Sequence, residues 1–285
     1  MARALCLAVL LLIMPSRGDA GEMTRGTFQT SDGVSLSFLQ AGQDLGGENK
    51  FAIVLIPGWC MPAVIWRKQL EAFGRRYETL ALDPRGQGES EIPATGYTAE
   101  RRATDIHEFM QSRSKVLLIG WSLGAIEALQ AVHMFGAAPL AGLVLVDSSV
   151  GEEPAPGPGG NFKQRLRDHR EKTVSEFVRA IFATRRAESE LRELTRDALR
   201  MKVEDSLALL DYPFERSHWK QIALAFKKPL LYAVTPQFEQ QAANLKKHRP
   251  ATQVEVFKKA GHALFVDEPD RFNTLIEKFA DKVSR

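Results

Sequence analysis

Ser122 stands in the run Gly120-Trp121-Ser122-Leu123-Gly124, after an apolar stretch, Lys115 to Ile119, and at the head of one with helical spacing of apolar residues, Ser122 to His133. A serine at so abrupt a strand-to-helix turn projects its hydroxyl clear of the backbone, and glycines on both sides remove side chains that would clash. The helix start also brings free N–H groups and a positive dipole end beside the hydroxyl, where a developing oxyanion would be stabilised. This is the setting of a nucleophile in acyl transfer. An unassisted serine hydroxyl is a weak nucleophile, so a base must take its proton during attack. Of the six histidines, His107, His133, His169, His218 and His248 fall on helical patterns or their ends. His262 instead follows an apolar run, in the glycine-bearing loop Gly261-His262. It is therefore the expected general base, and afterwards the acid that protonates the leaving group.

Positioning such groups needs a scaffold, and the rest of the chain reads as one. Thr27 to Thr30 and Val34 to Gln40 flank Ser31-Asp32-Gly33, as in a hairpin. Phe51 to Ile56, Thr79 to Leu82, Lys115 to Ile119, Gly142 to Val146, Leu230 to Val234 and Val254 to Phe257 are short apolar runs, as expected of strands buried on both faces. Between them, Ile65 to Phe73, Ala99 to Met110, Ser122 to His133 and Arg271 to Val283 carry helical spacing. The alternation predicts an α/β fold, a mostly parallel sheet with helices on both faces. From Gly151 to Phe226 no strand pattern occurs. The stretch opens with Pro154, Pro156, Pro158 and consecutive glycines, then turns helical around Phe162 to Arg186, Glu188 to Leu210 and Glu215 to Phe226. A helical insertion after strand six reads as a lid over the crevice at the strands' carboxyl ends, where ligands bind in open α/β sheets. The expected division is a signal peptide over 1–20, a core over 21–150, the lid over 151–226 and the rest of the core over 227–285.

Composition narrows the classes. The chain has 285 residues, 44% hydrophobic and 26% charged, with a formal net charge of +3. That suits one globular core. Basic and acidic residues alternate, notably from Arg165 to Lys202, as on solvated helix faces, so no nucleic-acid partner is expected. Arg3, the apolar run Ala4 to Met14, and Pro15, Ser16 and Gly18 before the small residue Ala20 form the pattern of a cleaved export signal. The run is shorter than the roughly twenty residues a bilayer span takes, so stable membrane insertion is not expected after cleavage. The protein is expected to be exported, periplasmic or secreted. Cys6 would leave with the signal, making Cys60 the remaining thiol and excluding an internal disulfide. No His-Glu-x-x-His or paired Cys-x-x-Cys spacing offers a metal cage, and no cofactor is called for.

With these marks in place, the chain resembles the α/β-hydrolase superfamily over nearly its whole mature length. Ile56-Pro57-Gly58-Trp59 follows the third strand, where that family usually carries His-Gly-x. Asp83-Pro84-Arg85-Gly86-Gln87-Gly88-Glu89-Ser90 matches its Asp-x-Arg-Gly-x-Gly-x-Ser loop, and Gly261-His262 occupies the place of its catalytic histidine. The phrases around Gly58-Trp59 and Ser122 are most similar to small serine carboxylesterases, including pimeloyl-carrier-protein methyl esterases. The resemblance implies an oxyanion hole made by the backbone N–H groups of Trp59 and Leu123. Pro57 departs from the usual histidine, which braces the loop in the family.

The third triad member is the open point. The family usually places an aspartate after strand seven, but the loop here reads Thr235-Pro236-Gln237-Phe238-Glu239. A buried carboxylate is needed to fix the imidazole tautomer and stabilise the imidazolium. Asp147, ending the sixth strand as in the haloalkane dehalogenases, is the favoured acid, and Glu239 is the rival. Cys60 reads as a packing thiol. Trp121 and Met61 are candidates for an apolar acyl pocket. The leading expectation is a cofactor-independent hydrolase of a small-molecule carboxylic ester. Thioesterase, lactonase, amidase, carbon–carbon hydrolase and perhydrolase chemistry are rivals within the class. A non-hydrolytic binding protein on the same fold is the rival outside it.

Overall fold

Runs dominated by apolar residues are satisfied where both faces of a sheet are covered, and these runs form its centre. The computed structural model describes residues 23–42, 51–157 and 160–285. The predicted signal segment lies outside the described residues, as do Pro158 and Gly159 of the predicted linker. β1 (Thr24–Gln29) and β2 (Ser35–Ala41) make the antiparallel hairpin across Asp32-Gly33. β3 (Phe51–Ile56), β4 (Glu78–Leu82), β5 (Lys115–Trp121), β6 (Leu140–Val146), β7 (Leu230–Val234) and β8 (Gln253–Val256) run parallel to one another. The eight-stranded sheet has the order β1-β2-β4-β3-β5-β6-β7-β8. In β3 to β7 nearly every position is buried, whereas edge strand β1 has only exposed and half-buried residues.

Helices cover both faces. α1 (Arg67–Phe73) follows a 3-10 turn at Ala63–Trp66; α2 (Ala99–Met110) and α3 (Leu123–Phe135) flank β5. α4 (Phe162–Asp168), α5 (Arg170–Ala180), α6 (Glu188–Ala198), α7 (Val203–Ala208) and α8 (Arg216–Ala225) all lie between β6 and β7. α9 (Glu239–His248), α10 (Leu264–Asp267) and α11 (Pro269–Val283) complete the chain. One apolar cluster joins Trp66, Leu70 and Phe73 to Phe272, Ile276 and Phe279, placing α1 and α11 on one face. The other joins Ile106, Phe109, Leu129, Trp219, Ile222 and Leu245, placing α2, α3, α8 and α9 on the opposite face. Leu166, Val174, Val178, Leu191 and Leu194 of the inserted helices belong to the first cluster, so the insertion is part of the core rather than an appendage.

Several local features differ from the sequence reading. The helical pattern from Glu188 to Leu210 is split into α6 and α7, with residues 199–202 in neither helix. The helical pattern from Phe162 breaks at His169, whose backbone sits at φ −142°, ψ 53°, outside the helical region. α9 had no counterpart, because few of its residues are apolar and only Gln241, Ala242 and Leu245 turn inward. Among the described residues no helix is long and apolar enough to cross a membrane.

Candidate active site

Strand order decides which loops meet. Ser122 directly follows β5, Asp147 directly follows β6 and Thr235 directly follows β7, and these strands are neighbours in the sheet. Their registers pair Trp121 with Val146 and Val146 with Ala233, so Ser122 and Asp147 stand level at the carboxyl edge and Thr235 lies one residue beyond them. His262 comes from beyond β8, three strand spacings or roughly 14 Å from β5, so its loop must reach back across the edge. Three contacts hold it there. The Trp121 indole N–H donates to the His262 carbonyl at 2.8 Å, the Ala263 N–H donates to the Ile181 carbonyl at 2.8 Å, and the Gly261 N–H donates to the Asp267 carboxylate at 2.8 Å. Asp267 also accepts from the N–H groups of Ala183 and Thr184, so the histidine loop is clamped to the inserted helices.

The side chains then form one line. Ser122 Oγ lies 2.9 Å from His262 Nε2, and His262 Nδ1 lies 2.8 Å from Asp147 Oδ2. A carboxylate only accepts, so Nδ1 carries the proton and Nε2 is left to accept from the serine hydroxyl. The other oxygen, Oδ1, accepts from the Thr235 N–H at 2.6 Å and the Thr235 hydroxyl at 2.8 Å. Asp147 is completely enclosed, while His262 keeps about a quarter of its side chain exposed, 25%. The buried carboxylate is thus fully partnered, and the imidazole has one open side for a ligand.

Backbone strain concentrates at this edge. Among the described residues, the non-glycine positions with positive φ are Cys60 (56°), Ser122 (55°) and Asp147 (41°). Each such residue costs on the order of 1–3 kcal/mol and persists where its surroundings over-determine it. At Ser122 the restraints are visible. Its N–H donates to Val146 O at 2.9 Å, and its carbonyl accepts from the Ala125 N–H at 3.0 Å. A side chain at Gly124 would meet the Pro57 carbonyl at 2.5 Å, and one at Gly120 would meet the Gly124 carbonyl, so the turn closes only on glycines. Neither Leu123 nor Trp59 has a backbone acceptor for its N–H among the described residues, which leaves both donors beside Ser122 unspent.

A family profile described as the alpha/beta hydrolase family matches residues 53–275, most of the chain and every residue of this edge. The chain belongs to the alpha/beta hydrolase family. It is similar to N-formylmaleamate deformylase of Pseudomonas putida, 28% identical over 270 residues that make up 90% of this chain and 98% of the relative. Among solved structures, a Burkholderia cenocepacia protein assigned as an aryl esterase superposes with a TM-score of 0.80 at 24% identity, covering 92% of this chain and all of its own. The esterase EaEST of Exiguobacterium antarcticum gives 0.76 at 20% identity, covering 90% of this chain and 98% of its own. At such identities these two likenesses speak for the fold.

On this alpha/beta hydrolase scaffold, the structure brings Ser122, His262 and Asp147 together and leaves the rival carboxylate out. Glu239 is exposed at the start of α9, and His262 Nδ1 is instead paired with Asp147. Trp121 and Met61 were expected at an acyl pocket; their side chains are instead enclosed, at 1% and 0% exposure, within the apolar core. Trp121 spends its indole N–H on the His262 loop. A cavity of about 380 Å³ does open between the Pro62–Gln69 segment and α6, but its lining includes neither of these residues nor Ser122. Two participants were missed in the sequence. Thr235 fills the place of the absent strand-seven acid with two donors, a role visible only once β6 and β7 are known to be adjacent. Gln87, inside the Asp83–Ser90 motif, reaches the loop after β3, bonding the Gly58 and Met61 carbonyls at 3.0 and 2.8 Å. Among the described residues no group of three or more His, Cys, Asp or Glu side chains is arranged to hold a metal ion.

Proposed function

We propose that this alpha/beta hydrolase is a cofactor-independent serine hydrolase that cleaves a small carboxylic ester through an acyl-enzyme. The observation that carries the reading is the unbroken line Ser122 Oγ, His262, Asp147, with both oxygens of the buried carboxylate occupied. Ser122 Oγ attacks the ester carbonyl while His262 Nε2 takes its proton. Asp147 holds the imidazole in the Nδ1–H tautomer and stabilises the imidazolium. The carbonyl oxygen becomes an oxyanion facing the N–H groups of Leu123 and Trp59. Collapse of the tetrahedral intermediate expels the alkoxide, which takes the proton from His262. Water, deprotonated by the same nitrogen, then attacks the acyl-enzyme and frees the acid and Ser122.

A second reading has its own support, the similarity over nearly the whole chain to a deformylase. The same groups would cleave an N-formyl amide, with His262 protonating a departing nitrogen instead of an oxygen. A panel of p-nitrophenyl esters of increasing acyl length, run beside N-formyl amides, tests both. Ester turnover that disappears in Ser122→Ala supports the first reading, and turnover confined to formamides replaces it with the second. Failure of the folded protein to turn over either, or to react with a fluorophosphonate, would favour a non-hydrolytic binder. The same proposal places the protein outside the cytoplasm, on the strength of the Ala4 to Met14 run and Ala20; mature protein beginning at Gly21 is the expected result of N-terminal sequencing.

A further inference from the structure

We propose that Gln87 is the positioning residue of the oxyanion loop, holding the Gly58–Trp59 peptide so that the Trp59 N–H faces the carbonyl oxygen of a substrate at Ser122. The inference rests on the reading of Ser122 as nucleophile. Its core is the planarity of one peptide. The carbonyl of Gly58 and the N–H of Trp59 belong to the same trans unit and point to opposite sides of it, so whatever fixes one aims the other. The Gly58 carbonyl accepts from Gln87 Nε2 at 3.0 Å and from the Met61 N–H at 3.2 Å. The second proton of the same amide goes to the Met61 carbonyl at 2.8 Å, so one side chain ties both ends of the loop.

The loop needs such a tie. A side chain at Gly58 would lie 3.0 Å from Ser122 Cβ and 3.2 Å from the Trp121 ring, so it would crowd the nucleophile that glycine lets the loop approach. The same residue has the freest ψ of any, and rotation there would swing the Trp59 N–H away. Pro57, which precedes it, has no N–H and no polar side chain with which to brace the turn.

The sense of the Gln87 amide is dictated from behind. Arg102 Nη2 donates to Gln87 Oε1 at 3.1 Å. A guanidinium has no acceptor and the two carbonyls have no donor, so only one of the two amide orientations satisfies every group. Arg102 is in turn paired with Glu127 at 2.8 and 3.0 Å, and Glu127 accepts from the hydroxyl of Tyr212, in the inserted segment, at 2.8 Å. Gln87, Arg102 and Glu127 are buried to within 1% of complete enclosure. Burial, with the Glu127 carboxylate beside it, holds the Tyr212 phenol protonated well above its ordinary range, so this donor persists at any working pH.

The test uses the full chain with Gln87→Met, which keeps the length and removes both donors, and Gln87→Glu, which keeps an acceptor for Arg102 and removes the donors at pH 8. Five quantities are compared with the wild type. They are the rate at which a fluorophosphonate modifies Ser122, followed by intact mass; inhibition by an aryl trifluoromethyl ketone, whose adduct places an oxyanion in the same hole; kcat and KM for p-nitrophenyl acetate; and the melting temperature. Removing an oxyanion donor outright typically costs about 10²–10³ in rate, so misaiming one is expected to cost roughly ten- to a hundredfold in modification rate, kcat and ketone affinity. KM should stay within about twofold, because a ground-state ester makes little use of that N–H. Modification and turnover at the wild-type rate in either folded variant would overturn the proposal, as would a loss confined to KM or the unfolding of both variants. A wild type that reacts with neither probe would overturn the serine-hydrolase reading itself, and this inference with it.

Discussion

Thr235 donates both its N–H, at 2.6 Å, and its hydroxyl, at 2.8 Å, to a single oxygen of Asp147, leaving the other oxygen for His262 at 2.8 Å. The carboxylate cannot rotate without breaking two charge-assisted bonds, so the imidazole it orients is fixed as well. Asp147→Asn should preserve the fold yet lower kcat on an ester by about 10⁴-fold, because an amide facing Nδ1 favours the wrong tautomer. Glu239→Gln, at an exposed position, should leave kcat within about twofold. Steady-state kinetics at pH 8 on the two variants side by side decides between the carboxylates.

Thr235→Val isolates the hydroxyl, since the backbone donor survives the substitution. Hydrogen bonds to charged groups contribute about 1.5–3 kcal/mol, and the retained N–H offsets part of the loss. A fall of about 1–2 kcal/mol in unfolding free energy from urea titration, with a smaller kcat, is the expected outcome. Unchanged stability would mean that the hydroxyl bond contributes nothing.

Arg102 and Glu127 form a buried pair at 2.8 Å with almost no exposure on either side. Removing one partner strands the other charge, a change that typically costs about 3–5 kcal/mol. Arg102→Met should therefore destabilise strongly, and Arg102→Met combined with Glu127→Gln should recover much of the loss. Urea denaturation of the two single variants and the double variant reads the coupling directly. Additive losses in the double variant would rule out the pair as a unit.

Legibility followed locality. The strands β3 to β7 could be read because burial on both faces demands unbroken apolar runs, and Ser122 because its glycines and strand-to-helix setting lie within a few residues of it. His262 needed only its loop context. Asp147 could be narrowed to a choice but not singled out, since the decision depends on which strand end faces His262 across the sheet. Thr235 and Gln87 were invisible for the same reason: their partners lie 88 residues away at Asp147 and 29 and 26 residues away at Gly58 and Met61. α9 escaped because its buried face carries little more than Ala242 and Leu245. The chemistry of Trp121 was misplaced because its indole N–H, not its apolar body, is what the site uses.

Cys60 offers a prediction in pH. Burial pushes its thiol from an ordinary value of 9.0 up to about 12, so the fold stabilises the neutral form. That contribution is complete below pH 9 and is lost as pH rises from 9 toward 12. The melting temperature of the wild type relative to Cys60→Ala should therefore decline across this window and be flat from pH 6 to 8. In a Cys6→Ser background, iodoacetamide at pH 8 should leave the native protein unmodified and react after denaturation. Rapid alkylation of the folded chain would show an accessible thiolate that this packing excludes.

The acyl-enzyme at Ser122 is the step on which the proposed mechanism depends. Rapid acid quench of the protein with a p-nitrophenyl ester under single-turnover conditions, followed by peptide mass spectrometry, looks for it directly. The expected result is the acyl mass on the peptide containing Gly120-Trp121-Ser122-Leu123-Gly124, appearing as p-nitrophenol is released, decaying by deacylation, and absent in Ser122→Ala. Ester hydrolysis that continues in Ser122→Ala at the wild-type rate, with no adduct on that peptide at any time, would contradict it.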